Sequence, residues 1–130
     1  MESLILYFDR CIGKKVPEAL SNLTCPFQVR WHQGEGFAQD LEDDKWLHIV
    51  GVNKWVVISH DAKWHKEPAA IEAIKQHKIK CFYLYGASSL MFFKLKALAQ
   101  NWEKISEKIK IEKGPFIYRI SVHNRLSKVL

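Results

Sequence analysis

Two apolar runs in this chain each end at an aspartate. Leu4-Ile5-Leu6-Tyr7-Phe8 stops on Asp9, and Val56-Val57-Ile58 breaks at Ser59 and His60 with Asp61 next. A continuous β-branched run suits a strand buried on both faces, the habit of parallel sheets covered by helices. Parallel strands need a crossover between them, usually a helix, so few architectures remain. In open α/β sheets, ligands lie beyond the carboxyl ends of the strands. Asp9 and Asp61 are therefore expected to share a metal site there.

The rest of the chain alternates in the same way. Residues 3–8 read as a first strand and 10–13 as a turn. Residues 14–23 read as a helix with Val16, Leu20 and Leu23 on one face and Pro17 in its first turn. Residues 27–31 alternate apolar and polar as a short strand, and 32–40, with Gly34 and Gly36, read as a loop. A helix over 43–53 turns Trp46, Ile49 and Val50 inward, and its leading acids suit the positive end of the helix dipole. A strand over 55–59 and a helix over 68–77 follow, the latter with Ala70, Ile71, Ala73 and Ile74 inward. Then come a strand over 80–85 and one long helix from Ser88 or Ser89 to 109. Its stripe is Leu90, Phe93, Ala97, Leu98, Trp102, Ile105 and Ile109. Gly114-Pro115 stops it before a last strand over 116–122. The expected fold is a single-domain three-layer α/β/α sandwich with a mostly parallel central sheet.

At 130 residues, 48% hydrophobic and 26% charged, the chain can build one real core. No apolar run approaches a membrane span, and the start lacks the basic region of a signal peptide. Cys11, Cys25 and Cys81 are an odd set without CxxC spacing, which suits free thiols in a reducing cytoplasm. A net charge of +6 favours polyanionic partners, although many basic proteins bind no nucleic acid. Against that balance, residues 35–44 carry Glu35, Asp40, Glu42, Asp43 and Asp44 and no base. Such an acidic focus serves a metal-dependent enzyme acting on phosphodiesters, or is a solvated loop.

Three elements thus offer acids to one place: Asp9, then Asp43 or Asp44, then Asp61. Magnesium takes oxygen ligands and keeps several waters, so two to four carboxylates suffice. Each acid also has a plainer reading, as a cap, a turn residue or a first-turn helix acid. Arg10, Lys14 and Lys15 beside Asp9 would hold a phosphate or simply balance the acids. Trp46, Trp55 and Trp102 read as core, while Trp31 and Trp64 lie nearer loops and could stack on a base. The segment Ala62-Lys63-Trp64-His65-Lys66 is basic and aromatic, which suits RNA without being diagnostic. His60, Asp61 and His65 could be read as zinc ligands, but no second cluster has zinc spacing.

Leu6-Tyr7-Phe8-Asp9-Arg10, Lys14 to Leu20, Asp43-Asp44-Lys45-Trp46 and Trp55 to Asp61, taken in order, resemble the PIN-like domains of VapC-type toxins. Gly114-Pro115-Phe116-Ile117 also fits. The resemblance covers nearly the whole chain and implies a magnesium-dependent endoribonuclease that cleaves structured RNA, with manganese as the alternative ion, held in check by a cognate antitoxin protein. A homodimer is a further option. Carried over by position, Asp9 and Asp61 would be metal-binding acids and Asp43 the helix acid, with Asp44 its rival. Arg10, Lys14, Lys15, Lys63 and Trp64 would contact RNA. The pattern departs at Gly86-Ala87-Ser88-Ser89, where many PIN domains place another acid. That departure favours a site for one metal, or the alternative of an inactive PIN-like module that binds RNA or protein. A receiver-like domain is disfavoured, because residues 2–8 lack its acidic pair.

Overall fold

A computed structural model describes residues 4–60, 66–84, 90–121 and 124–130. Strands β1 (Ile5–Phe8), β2 (Gln28–Trp31), β3 (Val56–Ser59), β4 (Lys80–Leu84), β5 (Phe116–Ile120) and β6 (Leu126–Lys128) form one sheet in the order β2-β1-β3-β4-β5-β6. All neighbours are parallel except β5 and β6. Helices α1 (Lys15–Ser21), α2 (Asp43–Val52), α3 (Pro68–Gln76), α4 (Met91–Gln100) and α5 (Trp102–Ile111) cover it. The expected α/β sandwich is the fold that forms.

Alternation along the strands divides the interior into two cores. Leu6, Phe8, Val56, Ile58, Phe82 and Leu84 face Val16 and Leu20 of α1, Leu98 of α4 and Ile105 of α5. Tyr7, Val57, Cys81 and Tyr83 face Trp46, Leu47 and Val50 of α2 and Ala70, Ala73 and Ile74 of α3. Strands buried on both sides must be apolar at every position, which is why β1 and β3 read as unbroken runs.

The structure departs from the sequence reading in several places. The long helix is two, joined at Asn101, which is 1% exposed. Its Nδ2 bonds back to the Ala97 carbonyl at 2.8 Å and to Asn124 Oδ1 at 3.2 Å, so it serves two segments instead of continuing a helix. Leu98, Ile105 and Ile109 stay in register across the break, so the apolar period runs straight through it. Leu90 and Phe93, expected inward, are exposed, and the buried side chain of that turn is Lys94. A lysine can fill such a position with its apolar stem. Leu23 likewise lies beyond α1 and is exposed. Residues 10–12 are not a simple turn but a 3-10 helix capped by Asp9. The last predicted strand ends at Ile120, and β6, with one apolar residue in three, carries too little pattern to be read.

Trp46 is fully buried, whereas Trp55 and Trp102 are only half-buried against the cores. Trp31 ends β2 half-buried against the first core, and a Cβ placed on Gly34 would lie 2.5 Å from its indole. Covered in that way, it is not the free stacking surface its position suggested. No helix among the described residues is long and apolar enough to cross a membrane.

Candidate active site

β1 lies between β2 and β3, and the chain leaves it towards β2 on one side while β3 enters on the other. Such reversals open a crevice at the carboxyl edge of the sheet. Asp9 follows β1 at that edge and is 3% exposed. Its backbone N–H donates to the Ile58 carbonyl, which continues the ladder with β3 and fixes where the side chain starts. Oδ1 accepts from the Arg10 N–H at 2.6 Å. Oδ2 accepts from Ser59 Oγ at 3.1 Å and from the Cys11 thiol at 3.3 Å.

Burial pushes the Asp9 carboxyl above its ordinary pKa, and the nearby Asp43 charge adds to this; the bonds from Cys11, Ser59 and Arg10 work the other way. Burial, then Asp9, push the Cys11 thiol up to about 12, so it stays protonated as a donor rather than a nucleophile.

Asp43 begins α2, and its Oδ1 accepts from the Trp46 indole at 2.9 Å and from Arg10 Nη2 at 3.2 Å. Trp46 is core, so the indole bond fixes the carboxylate one turn ahead of it. Arg10 Nη1 also donates to the Leu41 carbonyl at 2.5 Å. The guanidinium thus ties the turn after β1 to the start of α2. Expected at a phosphate, Arg10 has two of its N–H groups on protein acceptors, and its remaining donors have no such partner among the described residues.

Asp44, next along α2, points elsewhere. It lines a groove between α2 and α3 with His48, Glu72 and His77. Lys14 and Lys15 open α1 and are exposed. Asp61, Lys63, Trp64 and His65 lie outside the described residues, as do the positions 86–89 where the extra acid is missing. His60 is described: its Nε2 bonds the Cys11 carbonyl and must donate to it, while its buried Nδ1 has no partner among the described residues.

One buried pair was not read from sequence. His32 is fully buried; its Nε2 donates to the Ala38 carbonyl at 2.7 Å and its Nδ1 accepts from the Tyr7 hydroxyl at 3.0 Å. Burial, reinforced by Asp9, pushes the Tyr7 hydroxyl well up, so it remains a donor. The pair anchors the loop between β2 and α2. His32 sits in a glycine-bearing loop, and only its place directly after a strand hinted at burial.

Among the described residues, no three His, Cys, Asp or Glu side chains form a group able to hold a metal. Asp9 and Asp43, the two acids that Arg10 bonds, fit a hard divalent cation in kind. They offer only oxygen, Asp43 Oδ2 has no hydrogen-bond partner among the described residues, and the mutual repulsion acting on Asp9 is of the sort a cation relieves. Comparison with known families finds one model, described as a PIN like domain, that matches residues 4–86, from the start of β1 past the end of β4. No curated protein and no solved structure matches the chain.

Proposed function

The chain belongs to the PIN-like domain family, and from that premise we propose that it is a divalent-metal-dependent endoribonuclease, the toxin of a toxin–antitoxin pair. PIN-like domains are generally nucleases and typically use divalent metals. The observation that carries the reading is that one residue, Arg10, joins two acids at the carboxyl edge of the sheet: its backbone N–H donates to Asp9 Oδ1 after β1 and its Nη2 to Asp43 Oδ1 at the start of α2. Asp9 and Asp43, joined by Asp61, would hold magnesium or manganese. When bound, that ion supplies a hydroxide-like water and offsets charge developing on phosphorus.

The chain's own groups do the positioning. Ser59 and Cys11 hold Asp9 Oδ2 from one side, and the Arg10 N–H holds Oδ1 from the other, so the carboxylate cannot rotate. Trp46 fixes Asp43 in the same manner. Arg10 retains donors for a phosphate oxygen, and Lys14, Lys15 and Lys63 would bind the RNA backbone through its charge. Trp64 is assigned an RNA contact by the motif resemblance alone. A cognate antitoxin, a cytoplasmic location and homodimer formation belong to the same reading and are supported by the motif resemblance and, for location, by the free cysteines.

A second reading has one specific observation in its favour. Arg10 already supplies a positive charge to Asp43, which would let the fold persist as an inactive RNA- or protein-binding module. RNA cleavage assayed with magnesium and with chelator separates the two. Magnesium-dependent cleavage, lost in Asp9→Asn, supports the enzyme; no cleavage by the parent under either condition leaves the binding module.

A further inference from the structure

Leu90, Met91, Phe92 and Phe93 open α4 in contact with solvent, at 69, 38, 68 and 51% exposure. Single exposed apolar residues are ordinary, but four in sequence form a patch, and patches of this kind mark interaction sites. The rings of Phe92 and Phe93 stand edge to face, 5.7 Å apart at 73°, so they turn two different faces outward.

The patch lies at the same edge as Asp9. Tyr83, near the end of β4, is level with Ser59 of β3, and α4 begins after that strand. The Met91 methyl is 3.9 Å from where a Cβ would stand on Gly13, the residue closing the 3-10 turn after Asp9. Helix α1 packs against α4, and its opening residues Lys14 and Lys15 are exposed. Lys96 is exposed one turn along α4, a helix without a single acid. None of these three lysines has an ion pair among the described residues.

An apolar protein partner would cover the rings and leave the lysines without counter-charge. A nucleic-acid duplex would satisfy the lysines but hides its base faces. An unpaired polynucleotide meets both demands, since bases stack on aromatic rings while phosphates meet cations. We propose that Phe92 and Phe93 are a stacking platform for bases of single-stranded RNA, flanked by Lys14, Lys15 and Lys96, which leads the strand to the Asp9 edge. The proposal rests on the RNA reading above and adds to it the residues on which the unpaired strand is held.

The test uses the full chain in chelator, so that no cleavage occurs, and a fluorescein-labelled oligouridylate of about 12 nucleotides. Affinity is measured across salt concentrations. The parent binds; Phe92→Ala/Phe93→Ala weakens binding at least about tenfold with the salt slope unchanged. Lys14→Ala/Lys15→Ala instead lowers the slope by about 1.4. Phe92→Leu/Phe93→Leu keeps the apolar surface but not the π faces and weakens binding as the alanines do, whereas Phe92→Tyr/Phe93→Tyr stays within about twofold of the parent. All four positions are at the surface, so these variants keep the fold. If the parent binds and the alanine or leucine variants bind equally well, the platform is refuted while the RNA reading stands. A parent that ignores the oligouridylate overturns the platform, and the cleavage assay with magnesium and chelator then decides the RNA reading separately. A change of sedimentation mass in the alanine variant with RNA affinity intact shows a protein-binding face and overturns the platform.

Discussion

Arg10 Nη2 lies 3.2 Å from Asp43 Oδ1, with 26 and 15% of the two side chains exposed, and joins the turn after β1 to the first residue of α2. The same guanidinium reaches the Leu41 carbonyl, so it braces the loop as well as balancing the acid. Arg10→Ala removes both. Stability should fall by about 1–2 kcal/mol, mostly through the lost bond to a carbonyl, because a partly exposed pair contributes little by itself. Magnesium affinity, measured by calorimetry, should rise, since a competing cation has left a ligand. An unchanged magnesium affinity would remove Asp43 from the site.

Asp9→Asn should abolish magnesium-dependent cleavage. Asparagine also carries one acceptor oxygen where Asp9 uses two, so either the Arg10 N–H or the Ser59–Cys11 side loses its acceptor. The variant should lose about 1–3 kcal/mol in chelator, a few degrees of melting temperature. Magnesium at tenfold its dissociation constant should raise the parent by about 1.4 kcal/mol and leave Asp9→Asn where it was. A parent whose melt ignores magnesium makes Asp9 a structural cap only.

The two neighbouring acids of α2 should separate cleanly. Asp43→Asn should reduce cleavage by a hundredfold or more, on the order of 3 kcal/mol of lost transition-state stabilisation. Asp44 faces the α2–α3 groove, and Asp44→Asn should leave the rate within about twofold. The reverse ranking in a single-turnover assay would move the site to the other face of α2.

Metal-free stability should carry the Asp9 proton. Burial raises its folded-state pKa above the ordinary 3.8, so the folded chain holds the proton more tightly than the unfolded one. This contribution is fully present below 3.8 and is lost as pH rises through the raised value. Urea midpoints in chelator should therefore fall over that interval in the parent relative to Asp9→Asn. Parallel curves for the two proteins would mean that Asp9 is solvated like any surface acid.

What could be read from sequence was what has a period or a sharp boundary. β1 and β3 stood out because parallel strands need apolar residues at consecutive positions, and Asp9 stood out because it ends such a run. The choice between Asp43 and Asp44 turns on the rotation of α2 about its axis, and the indole bond from Trp46 to Asp43 sets that rotation. The break at Asn101 was invisible because its partner, Asn124, lies 23 residues away. β6 was missed for a related reason: its strand character comes from pairing with β5, not from its own side chains. That the guanidinium of Arg10 would also bond protein acceptors was not legible, because only the path of the loop through Leu41 into α2 brings them to it.

β6 has a consequence for how this protein behaves when concentrated. It closes one side of the sheet with three residues, Leu126, Ser127 and Lys128, and β2 closes the other with four, carrying Gln28 and Arg30 exposed. Short, charged margins make poor templates for a foreign strand, and neither offers the long flat apolar ribbon on which amyloid-like stacking grows. Copies that meet at high concentration would therefore touch through their helices, leaving the β-structure of each molecule its own.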